Sequence, residues 1–422
     1  MVALSLLGVA TVSRRLSGTP ITPAMVFVTI GLLVGPHVLD GIGLSSRSPT
    51  VRSLAEATLA LVLFADASRI DLGQLRREIR VPVRLLGVGL PLTIALGAVA
   101  AAAIFGQMTV WEAVILGVIL APTDPALGQA VVTESSVPER IRQSLNVESG
   151  LNDGICVPLL FAAVAAADVE SNISGGRHAL SLLLEEIGYG VAAGAAAGIL
   201  IAVILIQAGR RELITGPWRQ VIPAAGTALA YGMADALGGS GFIAAFVAGV
   251  AFQVALGRDP EELNLLTEEV GDVLNGVTFL FFGAILLEPA LGELNWEIVL
   301  YAVLSLTVVR ILPVAIAMWG LHARLPTLAF LGWFGPRGLA SIVFAVIVLE
   351  ESQLPHQHTI VLTVYLAVGL SVFAHGLTAA PLAERYGRWF RAHPRDEAPP
   401  MESAAAEVTR ARGPIARPLL PR

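Results

Sequence analysis

The sequence predicts an all-α polytopic membrane protein with about thirteen transmembrane helices. Three observations support this fold class. Of the 422 residues, 55% are hydrophobic and 14% are charged, and the mean hydropathy is +0.74. Apolar runs of about 20 residues, the length that crosses a bilayer as a helix, recur along the chain. The alternation of period two that marks a membrane β-barrel is missing, so helices are expected to span the bilayer.

The composition also excludes several classes of function. The single cysteine, Cys156, excludes an internal disulfide framework and a thiolate metal cluster. No Gly-rich phosphate loop, nucleophile elbow or basic nucleic-acid patch occurs, so neither a nucleotide-driven pump nor a nucleic-acid partner is indicated. The sequence gives no reason to expect a cofactor or an enzyme active site.

Apolar periodicity places the spans in order. The first, Val2 to Val12, is short and precedes its arginines, whereas a signal peptide carries its positive charges before the apolar part. The other spans are predicted near 21–37, 51–68, 82–105, 111–133, 139–167, 185–207, 219–237, 240–257, 269–288, 297–321, 326–349 and 358–384. From Tyr386 onward the chain becomes polar and rich in proline, which predicts a disordered cytoplasmic tail.

The arginines orient these spans. The sequence contains no lysine, so arginine alone carries the positive-inside signal. Arginines concentrate in alternate connections, and the loop with Arg47 and Arg52 is the exception. We therefore predict a multi-pass cell-membrane protein with its N-terminus outside and its C-terminus in the cytoplasm.

The stretch 146–158 carries the most unusual polar residues of the chain. It places two carboxylates, two amides and a hydroxyl inside an apolar run. Residues four apart stack on one face of a helix, so Ser149 lies above Asp153 and Glu148 above Asn152. Ionisable groups within a membrane are costly and indicate a functional site. The alternative is a soluble core helix whose polar groups are satisfied, which the composition disfavours.

The preceding span contains Thr123 and Asp124 between Pro122 and Pro125. Each proline removes a backbone donor and collides with the carbonyl four residues earlier, so we expect a turn to unwind here. The freed carbonyls, the Thr123 hydroxyl and the Asp124 carboxylate can coordinate a small cation. The alternative is a proline kink in which Asp124 is only a local cap.

A third intramembrane charge is Arg310, which requires a carboxylate partner because an unpaired guanidinium in the bilayer costs several kcal/mol. We assign Glu148 to Arg310 with Asn152 as a bridge, which leaves Asp153 as the titrating group. Arg337 is a rival partner for the carboxylate or a surface residue. 

Three other polar residues allow a functional interpretation. Asp66 is either a carboxylate near the ion site or a helix-end charge. His356 and His358 form either a metal pair or ordinary loop residues; without a third ligand, the latter is favoured.

These motifs resemble the monovalent cation/proton antiporters, specifically the sodium/proton exchanger branch with an Asn-Asp pair. The resemblance rests on Glu148-Ser149-Gly150-Leu151-Asn152-Asp153, preceded by Thr123-Asp124-Pro125 and followed by Arg310 and Gly335-Pro336-Arg337-Gly338. The motifs occur in the family's order and cover about Pro20 to Pro381. The chain departs from the family in its short first helix and in the Gly-Pro that precedes Arg337.

The resemblance implies two inverted repeats with crossed broken helices and a homodimer. It divides the chain into dimerisation-domain spans 1 to 3 (1–81), core spans 4 to 6 with the ion site (82–168), a linker span with dimerisation-domain spans 8 to 10 (169–296), core spans 11 to 13 (297–385) and the tail (386–422). It implies that a monovalent cation binds at Asp153 and Asp124, helped by Thr123 and Ser149. The pair Glu148 and Arg310 is then structural.

The expected activity is exchange of a cation, most simply Na⁺, for H⁺ across the membrane lipid, with a role in pH homeostasis. Burial can raise the pKa of a carboxyl group into the neutral range, so protons and cations can compete for one site. Because the amide of Asn152 does not titrate, we expect electroneutral exchange of one cation for one proton. The alternatives are K⁺/H⁺ exchange on the same fold, a channel or sensor, and an intramembrane aspartyl protease using Asp124 and Asp153.

Overall fold

The computed structural model describes residues 1–16, 19–36, 48–69, 80–129, 131, 134–171, 176–257 and 261–393. Within these residues the protein is a bundle of α-helices, so the predicted class is confirmed. The helices are α1 (Val2–Leu16), α2 (Pro23–Val34), α3 (Pro49–Ser68), α4 (Arg80–Phe105), α5 (Val110–Ile119), α6 (Glu139–Ser171), α7 (Gly176–Arg210), α8 (Gly216–Ala236), α9 (Gly241–Leu256), α10 (Glu261–Phe281), α11 (Trp296–Leu306), α12 (Val308–Ala317), α13 (Leu325–Trp333), α14 (Leu339–Glu351) and α15 (Gln357–Ala392).

Local sequence signals explain where several helices begin and end. The Thr22 side chain accepts a hydrogen bond from the backbone of Met25 at the start of α2. Thr109 and Glu112 form a reciprocal capping box at the start of α5. Gly106 ends α4 in the left-handed region, at φ 56°, where a residue without a side chain is least strained.

Length and apolar composition allow the helices to cross a bilayer. In the part of the chain that the structure describes, six helical stretches meet both requirements: Arg80–Phe105, Glu139–Asp168, Leu183–Arg210, Glu262–Glu293, Trp296–Ala317 and Gln357–Ala392. Exposed tryptophans lie at helix ends, as is typical of the membrane interface: Trp111, Trp218, Trp296 and Trp319. The protein is therefore a multi-pass membrane protein.

The helices pack in two groups. The first group, which we call the panel, consists of α1–α3 and α7–α10. The second group, which we call the core bundle, consists of α4–α6 and α11–α15. The groups meet where α3, α7 and α9 pack against α6, where α3 and α10 pack against α14, and where α2 packs against α15. This boundary brings the polar central helix α6 beside the panel.

Small residues let two panel helices approach closely. A Cβ atom added at Gly194 of α7 would lie 2.5 Å from the Ala244 carbonyl oxygen of α9, and one at Gly190 would lie 2.9 Å from the Ser240 carbonyl oxygen. Such backbone-to-backbone contact is the usual basis of helix association in membranes. The panel is consequently packed through its backbone as well as through its side chains.

Two helices are interrupted in the middle of the core bundle. After α5, residues 121–124 are non-helical, and residues 334–338 separate α13 from α14. The first break follows from Pro122 and Pro125, as the sequence predicts. The second lies at Gly335-Pro336-Arg337-Gly338, where Pro336 lacks an N–H donor and the glycines have weak helix propensity. The crossed broken helices implied by the family resemblance are therefore present.

Three observed boundaries differ from the predicted spans. α1 continues to Leu16 and includes both of its arginines. The span predicted over 297–321 bends at Thr307, whose hydroxyl donates to the Val303 carbonyl, an interaction that often bends helices. The predicted tail is wrong over 386–392, because α15 continues to Ala392 and buries Tyr386 against Phe330. Residues 394–422 of the predicted tail, together with Arg47, lie outside the described residues.

Candidate functional site

The two broken helices touch at their interruptions. The backbone N–H of Asp124 donates to the Pro336 carbonyl oxygen at 2.7 Å. The Arg337 guanidinium donates through Nη1 to the carbonyl oxygens of Ala121, at 2.7 Å, and Pro122, at 3.0 Å. In return, Asp124 Oδ2 accepts the backbone N–H of Leu339, the first residue of α14, at 3.1 Å. Each break is therefore held by groups from the other.

This arrangement matches the charge of each helix end. The N-terminus of a helix carries a partial positive charge and the C-terminus a partial negative charge. The Asp124 carboxylate lies at the N-terminus of α14, and Arg337 lies beyond the C-terminus of α5. The crossing thus stabilises unpaired backbone groups that would be costly at this depth. Asp124 also accepts the Ala126 N–H at 2.8 Å, so it acts as a local cap in addition.

Polar side chains of α6 continue this site. Thr123 Oγ1 shares a hydrogen bond of 2.9 Å with Ser149 Oγ and accepts one of 2.7 Å from the Asn152 amide. Asp153 lies one turn beyond Ser149 on the same helix and is only 5% exposed. The structure therefore brings Thr123 and Ser149 into contact and keeps the Asp153 carboxylate inside the protein rather than in lipid.

The predicted ion pair is present. Arg310 donates to Glu148 through both terminal nitrogens, with Nη1–Oε1 at 2.5 Å and Nη2–Oε2 at 2.8 Å. Both side chains are almost completely buried. A bidentate pair of this kind fixes the orientation of both groups. The pair joins α6 to α12 and leaves Asp153 as the other carboxylate of the central motif.

Two sequence predictions about this site are wrong. Asn152 does not bridge the Glu148–Arg310 pair, because its amide donates to Thr123 instead. Arg337 is neither a surface residue nor the hydrogen-bonding partner of Glu148: it is 0% exposed and its guanidinium binds the carbonyls that end α5. A freed carbonyl competes effectively for a guanidinium where no water can replace it.

Asp66 reaches this region from the panel. Its Cβ lies 3.5 Å from the position that a Cβ atom would occupy on Gly150 of α6. This is an ordinary van der Waals distance, so α3 packs beside the turn of the central helix that carries Ser149. Asp66 is therefore a carboxylate at the boundary between panel and core bundle.

Several residues that support the crossing are not recognisable from the sequence. Ser341 donates to the Ile119 carbonyl at 2.7 Å, and Ser371 accepts the Arg337 backbone N–H at 2.6 Å. His375 contacts Ser371 and the Trp333 carbonyl. Single hydroxyl groups in apolar helices are common, so their role emerges only from the crossing.

The two loop histidines lie apart from this site. His356 Nδ1 pairs with Glu112 at 2.9 Å, and His358 Nε2 pairs with Glu293 at 2.7 Å. Among the described residues, no group of three or more His, Cys, Asp or Glu side chains could hold a metal ion. The two histidines therefore have separate carboxylate partners.

The motif order and the crossing agree with comparisons to known proteins. The family model described as "Sodium/hydrogen exchanger, transmembrane" matches residues 2–385. The chain belongs to the sodium/hydrogen exchanger family. The chain is 27% identical over 263 residues, 58% of its length, to a Na⁺/H⁺ antiporter of Schizosaccharomyces pombe. It is 25% identical over 397 residues, 93% of its length, to the K⁺/H⁺ antiporter NhaP of Alkalimonas amylolytica. The matches span 55% and 66% of those relatives, so the exchanger-family chain corresponds to only part of each.

A solved structure shares the exchanger fold. The sodium proton antiporter MjNhaP1 from Methanocaldococcus jannaschii at pH 8 superposes with a TM-score of 0.70 at 19% identity. The match covers 89% of the present exchanger-family chain and 97% of MjNhaP1. This likeness supports the fold and leaves the ion site to be argued from the side chains.

Proposed function

We propose that this chain is a secondary active antiporter that exchanges a monovalent cation for protons by alternating access. The observation that carries the proposal is the burial of Asp153 one turn from Ser149, beside two interrupted helices. Thr123 and Asp124 supply hydroxyl and carboxylate oxygens from the first interruption. Hard oxygen ligands of this kind suit alkali cations.

The coupling follows from the cost of an empty buried carboxylate. Either a proton or a cation neutralises the Asp153 carboxylate, and each can do so alone. If the charged, empty form is too costly to move between the two sides, the core bundle moves only when loaded. Glu148 cannot take this role because Arg310 already engages both of its oxygens. We place Asp66 at the entry to the site, where its carboxylate attracts cations.

Na⁺ is our first choice of cation, and K⁺ is the alternative. Curated relatives carry both names, Na⁺/H⁺ and K⁺/H⁺ antiporter. Proton flux in proteoliposomes, compared for Na⁺, Li⁺ and K⁺ across pH, distinguishes them. We further propose a homodimer formed through the panel, and a C-terminus in the cytoplasm.

The substitution Asp153→Asn is expected to abolish cation-dependent proton flux, because the amide can neither release a proton nor neutralise a cation. Asp168→Asn is the control, since Asp168 lies on the same helix and is exposed. Retention of Na⁺- or K⁺-dependent proton flux by the Asp153 variant would overturn the assignment of this site.

We propose electroneutral exchange of one cation for one proton. Beside Asp153 stands Asn152, whose amide has no proton to exchange in this pH range. Transport of Na⁺ and H⁺ in proteoliposomes should therefore be unchanged by a membrane potential imposed with a gradient of a permeant anion such as thiocyanate, which requires no gradient of a candidate cation. Net proton movement driven by voltage alone, without a cation gradient, would contradict this stoichiometry.

A further inference from the structure

Among the residues that the structure describes, an ion pair joins α3 of the panel to α14 of the core bundle at their ends remote from Asp66. Arg52 Nη1 donates to Glu350 Oε2 at 2.6 Å, and Arg52 Nε donates to Glu56 Oε1, on its own helix, at 2.6 Å. The Arg52 side chain is 35% exposed and each carboxylate side chain 17% exposed. Arg52 is thus fixed to the panel by Glu56 and reaches across to the core bundle.

Glu350 lies at the far end of a helix that begins at the ion site. α14 starts at Leu339, whose N–H is accepted by Asp124, and its 13 residues extend for about 20 Å. A rigid helix of this length transmits any tilt at the crossing to Glu350. A tilt of α14 about the crossing therefore displaces Glu350, and with it the Arg52–Glu350 pair, more than the residues near Leu339.

The other end of α3 approaches the central helix. Asp66 of α3 lies beside Gly150 of α6, whereas Arg52 lies near the opposite end of α3. A core bundle that moves against the panel cannot keep both of these contacts unchanged. Both contacts are closed in this structure, so at least one of them must change when the core bundle moves.

A second arginine pair on α3 provides a comparison. Arg69 pairs with Glu268 of α10, and both helices belong to the panel. This pair has similarly half-buried side chains, at 19% and 12% exposure, but it does not cross the boundary. It should therefore stay intact whatever the core bundle does.

We propose that Arg52, Glu56 and Glu350 form a latch that closes the boundary between panel and core bundle on the face we assign to the outside, and that opens in each transport cycle. This inference rests on the proposed antiport function. A partly exposed ion pair contributes modestly, which suits a contact that must break repeatedly. Its loss should shift the equilibrium between the two access states by about two- to fivefold.

Cross-linking tests whether the latch opens. In the double variant Arg52→Cys/Glu350→Cys, a short bismaleimide should stop exchange, and the uncross-linked protein should transport. The native Cys156 is buried and gives little background reaction. The matched control, Arg69→Cys/Glu268→Cys, should transport after cross-linking because its partners move together. Full exchange by the cross-linked Arg52/Glu350 variant would overturn the proposal.

The variant Glu350→Gln gives a second test that needs no cross-link. Apparent KM for the cation should fall about two- to fivefold on the latch side and rise on the opposite side. General destabilisation would instead lower the rates on both sides. Arg52→Gln should change the two KM values in the same way. Combining Arg52→Gln with Glu350→Gln should change them no further. Glu268→Gln is the control and should leave the two KM values in their wild-type ratio. An unchanged ratio in Glu350→Gln would refute the latch.

Failure of the proposed function would be recognised separately. In that case the wild-type protein itself would show no cation-dependent proton flux. The latch would then be judged by amide hydrogen exchange, which requires no transport. Glu350→Gln should speed amide hydrogen exchange at the adjoining ends of α3 and α14, and Glu268→Gln should not. Equal exchange in the two variants would overturn the latch without reference to antiport.

Discussion

Two guanidinium groups, those of Arg310 and Arg337, are the largest fully buried side chains among the described residues. Each carries a positive charge that must be compensated inside the protein, and the two groups use different partners. Arg310 is neutralised by a carboxylate, whereas Arg337 binds the carbonyls of Ala121 and Pro122. Because arginine does not lose its proton in proteins, each group depends on its partner at every accessible pH.

The Glu148–Arg310 pair gives a prediction about stability. Glu148→Gln should destabilise the protein by about 3 to 5 kcal/mol, because it leaves a buried guanidinium uncompensated. The measurement is thermal or denaturant unfolding in detergent. Glu139→Gln, which removes a partly exposed pair with Arg142 on the same helix, should cost less than about 1 kcal/mol. Equal losses in the two variants would contradict a structural role for the buried pair.

At this scale the sequence predicts pairing better than it predicts hydrogen bonding. An arginine inside an apolar span requires an acid, and Glu148 was available once Asp153 was reserved for the ion. The partner of Asn152 was not predictable, because the bond to Thr123 depends on how the break after α5 lies against α6. That geometry is set by contacts between segments about 30 residues apart.

At the scale of the helix, the two interruptions rest on close approach of their backbones. A Cβ atom at Gly338 would lie 2.6 Å from Asp124 Cβ and would collide with its carboxylate. Gly338 is therefore the position where Asp124 can reach the first N–H of α14. A side chain there would push the two breaks apart.

Gly338→Ala should lower stability by about 1 to 3 kcal/mol through overpacking and should strongly reduce exchange, because Asp124 can no longer hold the α14 terminus. Thermal unfolding and proteoliposome flux measure the two effects. Gly128→Ala is the matched control: it lies in the same region, and its nearest neighbour is 3.7 Å from the added Cβ. Wild-type transport by Gly338→Ala would show that this contact is dispensable.

Helix interruptions differ in how visible they are in the sequence. Two prolines around Asp124 predicted the first break from local chemistry alone. The second contains one proline between glycines and became evident only through the family resemblance. The π-helical turns at Leu85–Gly89 and Phe282–Leu287 were missed, since the apolar pattern continues through them.

At the scale of the whole molecule, the proposed alternating access requires one group of helices to stay rigid while the other moves. The glycines of α7 support this requirement in the panel, because they allow backbone contact with α9. The positions and order of the helices could be predicted from hydropathy. Their division into panel and core bundle could not, because it depends on packing between segments far apart in the chain.

Gly194→Val should destabilise the panel by about 1 to 3 kcal/mol, since the new side chain would meet the Ala244 backbone 2.5 Å from its Cβ position. The measurement is again thermal unfolding in detergent. Gly188→Ala on the same helix has open space around it and should change stability by no more than about 0.5 kcal/mol. If both variants unfold like the wild type, tight α7–α9 packing does not stabilise the panel.

The reciprocal capping by Asp124 and Arg337 also has a consequence for splitting the chain into two fragments. A cut at the turn near Glu212, between α7 and α8, would give two fragments with one interrupted helix in each. Neither fragment could complete its helix ends alone, so co-expression of both would be needed to restore the crossing. For the same reason, the residues tolerated at position 124 depend on the α14 terminus in the other half of the chain, although the two segments are far apart in sequence.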